Sequence, residues 1–206
     1  MKLRSRLIPA LVMAALVTLA AGAPVAAADP AREAQRLTER LAASDDPYAA
    51  FEDLTPKQQQ AVLDYTEVVT TTNDFSRAPS PTSPPDGEVT AAAIRCWTWT
   101  WNRQGWNLFG QVVWQFNQQI DWCGDGVKIT STPFRKVWAS RLFLFWTYNG
   151  LVGNVTQGGK GFSTYRAFAQ GSLSYCPPPG VCWQNDLPWL DMTAHADGRG
   201  TGSGGG

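Results

Sequence analysis

Residues 96–101 read Cys-Trp-Thr-Trp-Thr-Trp, and residues 112–123 read Val-Val-Trp-Gln-Phe-Asn-Gln-Gln-Ile-Asp-Trp-Cys. In the first stretch Trp97, Trp99 and Trp101 alternate with Cys96, Thr98 and Thr100, the period of a strand with one buried face. In the second, Val112, Trp114, Phe116, Ile120 and Trp122 alternate with Val113, Gln115, Asn117, Asp121 and Cys123. Antiparallel pairing that sets Cys96 opposite Cys123 brings Trp97 to Trp122 and Trp99 to Ile120, while Thr98 meets Asp121 and Thr100 meets Gln119. A slip of one residue would turn one apolar face outward, so the agreement of both faces selects this register. It predicts indoles in the core and hydroxyls and amides outside.

Working outward, Gly124-Asp125-Gly126 is a tight-turn signal, and continuing the pairing predicts a third strand with Ile129 opposite Trp122 and Thr130 opposite Asp121. Leu142 to Tyr148 is a nearly continuous apolar run, as in a strand covered on both sides, and Asn149-Gly150 reads as a turn. Phe162 to Tyr175 reads as one long strand or two joined by a bulge at Gly171. Leu190, Met192, Ala194 and Ala196 alternate with Asp191, Thr193 and His195 in a last strand. Six or seven such strands predict an all-β domain over 95–197, an antiparallel sandwich or a small barrel. Cys176 and Cys182 flank a stiff Pro-rich loop, so the expected bridges are 96 with 123 and 176 with 182.

The rest of the chain differs in composition. Residues 1–28 carry three basic residues and no acid, 29–94 carry five basic against twelve acidic, and 95–206 carry nine against five, for nets of +3, −7 and +4. All ten Trp and all four Cys fall in the last block. Lys2, Arg4 and Arg6 precede an apolar run from Leu7 to Ala23 that ends in Ala26-Ala27-Ala28, which reads as a signal peptide over 1–28. The run is too short for a spanning helix, so no transmembrane anchor is expected after cleavage. A secreted, extracellular address agrees with an even cysteine count.

Residues 29–75 read as an acidic helical leader, propeptide-like or a spacer. Ala34, Leu37 and Leu41 recur at helical spacing, and Thr55, Pro56 and Gln58 form a helix start with a capping box, after which Val68 to Thr72 should fray. Residues 76–94, with prolines at 79, 81, 84 and 85, read as an extended linker, and 198–206 as a flexible Gly-rich tail.

The chemistry legible in these residues is sparse. The block from 95 onward has no Glu, and Asp191 and His195 lie about 13 Å apart along one strand face. No Gly-x-Ser-x-Gly elbow or phosphate loop occurs, and the sole histidine excludes a Cys2His2 metal site. No metal, no cofactor and no catalytic residue is therefore assigned, and the charge balance does not point to nucleic acid. Asp121 and Asp125 straddle a glycine turn and read as hairpin residues before calcium ligands. The Trp excess suggests instead a platform for stacking on sugar rings, with Trp106, Trp183 and Trp189 as the candidates outside the predicted core.

Cys96-Trp97-Thr98-Trp99, Gly110-Gln111-Val112, Asp121-Trp122-Cys123 with Asp125-Gly126, Ala167-Phe168 with Gln170-Gly171, and Pro188-Trp189-Leu190-Asp191-Met192-Thr193 resemble a group of small secreted, tryptophan-rich, disulfide-bonded β-domain proteins of Gram-positive bacteria. The resemblance covers residues 96–197, about half the chain. It implies an exported β domain and carries no catalytic residues with it. The expected function is non-catalytic binding of a glycan or cell-wall polymer. The alternatives are an extracellular protein-binding module or inhibitor, and a minor hydrolase using His195 and an Asp.

Overall fold

The computed structural model describes residues 29–77 and 94–206. The signal-peptide reading of 1–28 and most of the 76–94 linker lie outside the described residues. Among the described residues three helices come first, α1 (Pro30–Ala42), α2 (Pro47–Glu52) and α3 (Pro56–Thr66). Nine strands follow: β1 (Thr70–Arg77), β2 (Arg95–Trp106), β3 (Val112–Gly124), β4 (Phe134–Ser140), β5 (Trp146–Gly158), β6 (Thr164–Tyr175), β7 (Gln184–Asp186), β8 (Trp189–His195) and β9 (Gly200–Gly205). They form two antiparallel sheets, one ordered β1-β2-β3-β4 and the other β5-β6-β8-β9 with β7 also on β6. The architecture is a sandwich and not a closed barrel.

Cys96 faces Cys123, Trp97 faces Trp122 and Trp99 faces Ile120, and both expected disulfides are present. Trp101, Trp114, Phe116, Ile120 and Trp122 fill one half of the core. The second sheet buries Trp146, Tyr165, Leu173, Tyr175, Leu190 and Met192 together with the small residues Ala167 and Ala169 on β6, Ala194 on β8, and Ala196 just beyond it. The small residues among them leave room for the wide indoles of the first sheet, the complementarity that dense packing requires. Gln118 breaks the apolar alternation of β3, and it is buried there because its side-chain amide Nε2 donates to the Ala167 carbonyl across the sandwich at 2.9 Å.

Several expected elements are corrected. The partner of β3 on its far side is β4, with Phe134 opposite Asp121; residues 127–130 form only an isolated bridge between Gly124 and Ile129. The Asp125 carboxylate accepts from the backbone N–H of Val127 and Lys128 at 2.9 and 2.7 Å, which closes a loop instead of a tight hairpin. The apolar run at 142–148 is a loop that enters β5 only at Trp146. Asn149-Gly150 is a bulge inside β5, where the pairing with β6 skips a residue. β6 runs unbroken through Gly171, and the register shift beside it lies in β5, where Val152 is passed over between Leu151 and Gly153. Gly171 is needed because a Cβ there would lie 2.7 Å from the Phe116 ring.

The Gly-rich tail is also corrected: residues 200–205 are β9, hydrogen-bonded to β8 from Ala194↔Gly200 to Trp189↔Gly205. Gly198, Gly200 and Gly202 lie under Trp97, Trp99 and Trp101 respectively. Residues without side chains are what allow three indoles to lie against this strand.

The 29–75 segment is part of the same body. Its β-branched run does not fray but becomes β1, and Phe75 packs edge-on against Trp101 with ring centroids 4.6 Å apart. Helix starts follow the expected chemistry, with Asp29 and Asp46 as N-caps and a full capping box between Thr55 and Gln58. Leu37, Leu41, Phe51, Leu54 and Val62 join the core that holds Trp114, Trp146 and Tyr175. Packing and the β1–β2 pairing make the contact, not ion pairs: the ion pairs among the described residues, Arg32 with Asp29, Arg166 with Asp191 and Arg199 with Asp197, do not join the leader to the β domain.

Candidate functional site

Inner residues of β6 and β8 are fixed by the core, so period-2 geometry presents Arg166, Phe168 and Gln170 of β6, and Trp189, Asp191 and Thr193 of β8, on the outer face of the second sheet. The register sets Phe168 between Val155 of β5 and Asp191 of β8, and sets Trp189 between Gln170 and Gly205. Phe168 and Trp189 are diagonal neighbours, with ring centroids 6.2 Å apart and planes inclined by 30°. Two glycines keep this strip flat. A Cβ on Gly153 would lie 3.0 Å from the Phe168 ring, and one on Gly205 would lie 2.7 Å from Trp189 Nε1.

Beside the rings lies a paired charge. Arg166 donates to Asp191 from Nε at 2.9 Å and from Nη2 at 2.5 Å, a two-pronged contact that raises the arginine above its ordinary value. Val155, Gln157, Arg166 and Phe168 enclose a depression of about 180 Å³. Gln170 Nε2 reaches the Leu187 carbonyl at 3.3 Å along the same face. A shallow aromatic floor with a guanidinium, a carboxylate and amides at its border can take a ring that offers C–H groups on one side and hydroxyls on its edge.

The three Trp candidates occupy different surroundings. Trp189 belongs to the strip just described. Trp106 closes β2, where its Nε1 donates to Thr72 Oγ1 at 2.7 Å. Trp183 is 52% exposed beside the Cys176–Cys182 loop and sits edge-on to Tyr175 at 6.0 Å. Phe168, Arg166 and Gly153 were not among the sequence candidates. The alternation of β6 made Arg166 and Phe168 legible as one face, but only the register to β5 and β8 places Trp189 beside them.

The other outer face carries Trp138 on β4, with the Lys136 ammonium 4.9 Å from its ring centroid. His195 sits across from Thr164 at the end of β8, and its carbonyl accepts the Trp122 indole N–H at 2.9 Å. Of its neighbouring acids, Asp191 is held by Arg166 and Asp197 accepts from Arg199 Nε at 2.7 Å. Among the described residues no group of His, Cys, Asp and Glu is placed to hold a metal ion. No helix among them is long and apolar enough to cross a membrane.

Compared with protein-family models, curated proteins and solved structures, the chain shows no match.

Proposed function

We propose that this protein is an exported, non-catalytic binding domain whose ligand is a glycan or cell-wall polymer, held on the outer face of the β5-β6-β8-β9 sheet. The observation that carries this reading is the half-buried Phe168–Trp189 strip, which lies close against Gly153 and Gly205 and is bordered by the Arg166–Asp191 pair. The rings supply a desolvated floor for the apolar face of a sugar. Arg166, Asp191 and Gln157 supply donors and acceptors for its hydroxyls. The two disulfides support an extracellular address, as does the basic and apolar N-terminal stretch that reads as a signal peptide.

Retention of the purified chain on insoluble peptidoglycan, before and after Trp189→Ala and Phe168→Ala, tests it. Both substitutions should release the protein at lower competitor concentration, while Trp106→Ala should leave retention unchanged. Unaltered retention in both strip variants would refute the assignment.

A second reading, capture of a protein strand, is favoured by one feature. β5 ends its sheet and exposes Leu151, Val152 and Val155, the arrangement that strand addition uses. Loss of peptidoglycan binding in no variant, together with capture of an extended peptide weakened by Val152→Lys, would favour that reading.

A further inference from the structure

A cleft of about 270 Å³ opens between α1, the end of α3 and the loop that joins β4 to β5, well apart in sequence from the aromatic strip. Its apolar walls are Ala42 on one side and Leu142, Phe143 and Leu144 on the other. Tyr65 forms its aromatic floor, flanked by Phe109 at 5.6 Å and stacked on Phe143 at 6.1 Å. The Tyr65 hydroxyl is hydrogen-bonded to Gln111, and burial raises it above the ordinary tyrosine value, so it stays neutral. Among the described residues Glu39 is the sole charged one that lines the cleft. Gln35 Nε2 donates to Glu39 Oε1 at 2.8 Å and holds the carboxylate in place.

The Leu142–Leu144 wall is held at a conformational cost. Arg141 before it and Phe145 after it have φ of 54° and 71°, a left-handed backbone that non-glycine residues rarely adopt. Such strain collects where a loop has to present a particular surface. Here that surface includes Leu142, which is 40% exposed.

One exposed carboxylate lining a cleft with apolar walls and the Tyr65 and Phe143 rings is complementary to an organic ammonium: the charge pairs with Glu39, and the alkyl or aryl body fills the apolar space beside it. We propose that this cleft is a second binding site, separate from the glycan strip, for a small ligand with a cationic amine on a short apolar body. An anionic ligand of the same shape would meet the Glu39 charge and be rejected.

The probes are n-hexylammonium, hexanoate and hexanol, titrated into the full chain and read by calorimetry and thermal melting. Hexylammonium should bind saturably and raise the melting temperature, hexanol should bind more weakly, and hexanoate should not bind. Glu39→Gln should weaken hexylammonium about tenfold, the loss of one charge-assisted contact, and bring it level with hexanol. Ala42→Trp should fill the cleft and abolish binding of both, while the far-UV spectrum and retention on peptidoglycan stay as in the parent protein. Equal binding of hexanoate and hexylammonium, absence of binding by all three, or undiminished binding in Ala42→Trp would each overturn the proposal, and none of these results bears on the Phe168–Trp189 strip.

Discussion

The six-membered ring of Trp101 occupies the space that a β-carbon on Gly202 would need. The same relationship holds for Trp99 with Gly200 and Trp97 with Gly198, so three indoles on β2 lie against three glycines at and near β9. A sequence of glycines that looks like a tail is therefore the matched half of an interface. Gly202→Ala should destabilise the fold by about 1–3 kcal/mol, the usual cost of adding a methyl to a filled core. Ser203→Ala, one residue along and on the opposite face, should stay within about 0.5 kcal/mol. Thermal melting of the two variants measures the contrast, and equal melting temperatures would mean that the Trp101 ring has room to move.

Thr66, at the end of α3, ties the leader to the sandwich through both of its ends. Its carbonyl accepts the Trp146 indole N–H at 2.7 Å, and its hydroxyl shares a buried hydrogen bond with the Tyr175 hydroxyl at 2.6 Å. Thr66→Val keeps the shape and leaves the Tyr175 hydroxyl without that partner, at a cost of about 1–3 kcal/mol. A protease cut between residues 78 and 93 should leave the two pieces together on gel filtration at high salt as well as low, because the pairing of β1 with β2, the Thr66 hydrogen bonds and apolar packing hold them without an ion pair. Separation at high salt would instead mean that the −7 and +4 blocks hold together by charge.

What is legible in the sequence, and what is not, follows from where side chains carry the information. The β2–β3 register was legible because Trp alternates with Cys and Thr on β2, Trp, Phe and Ile alternate with polar residues on β3, and one pairing satisfies both faces. The capping box at Thr55 and Gln58 was legible for the same local reason. β9 was not legible, since glycine has no face to alternate, and its partner signal lies about 100 residues upstream in the Trp ladder. The 142–148 run misled because its apolar residues cover the end of the core from a loop, where Phe145 contacts Phe51 and Tyr48 of the leader. Of the candidate site, Trp189 was readable as an unassigned indole. Its pairing with Phe168 needed the β6–β8 register, and the flatness of the strip needed Gly153 and Gly205 from two further strands.

The two disulfides should differ in weight. Cys96–Cys123 spans 27 residues and Cys176–Cys182 spans 6. Loop-closure entropy then assigns about 3.5 kcal/mol to the first and about 2.2 to the second. Replacing both cysteines of each bridge by Ala, one bridge at a time, and melting the variants in denaturant should show the larger loss for the 96–123 pair. The reverse order would locate the stabilising role of the short bridge in the Trp183 loop that it closes.

Asp186 should give stability a pH dependence opposite in sign to that of an ordinary exposed carboxylate. Its Oδ2 accepts the Trp114 indole N–H at 2.9 Å and its Oδ1 accepts from Gln184 at 3.3 Å. Burial nevertheless dominates and raises it above its ordinary 3.8, against those hydrogen bonds and the nearby Arg103. In the window between the unfolded and folded values the native state holds a proton that the unfolded chain has lost. The contribution of this group is therefore fully present below about pH 4 and falls as pH rises through its folded value. Asp186→Asn keeps an oxygen for the Trp114 N–H and removes the charge, so its melting temperature should gain on the parent protein between pH 3.5 and pH 7. Asp125 and Asp197, both held below the ordinary value by backbone N–H groups, are common to the two proteins and cancel in the difference. A difference that stays flat or shrinks over that range would mean that the Trp114 hydrogen bond and Arg103 together outweigh the desolvation of the carboxylate.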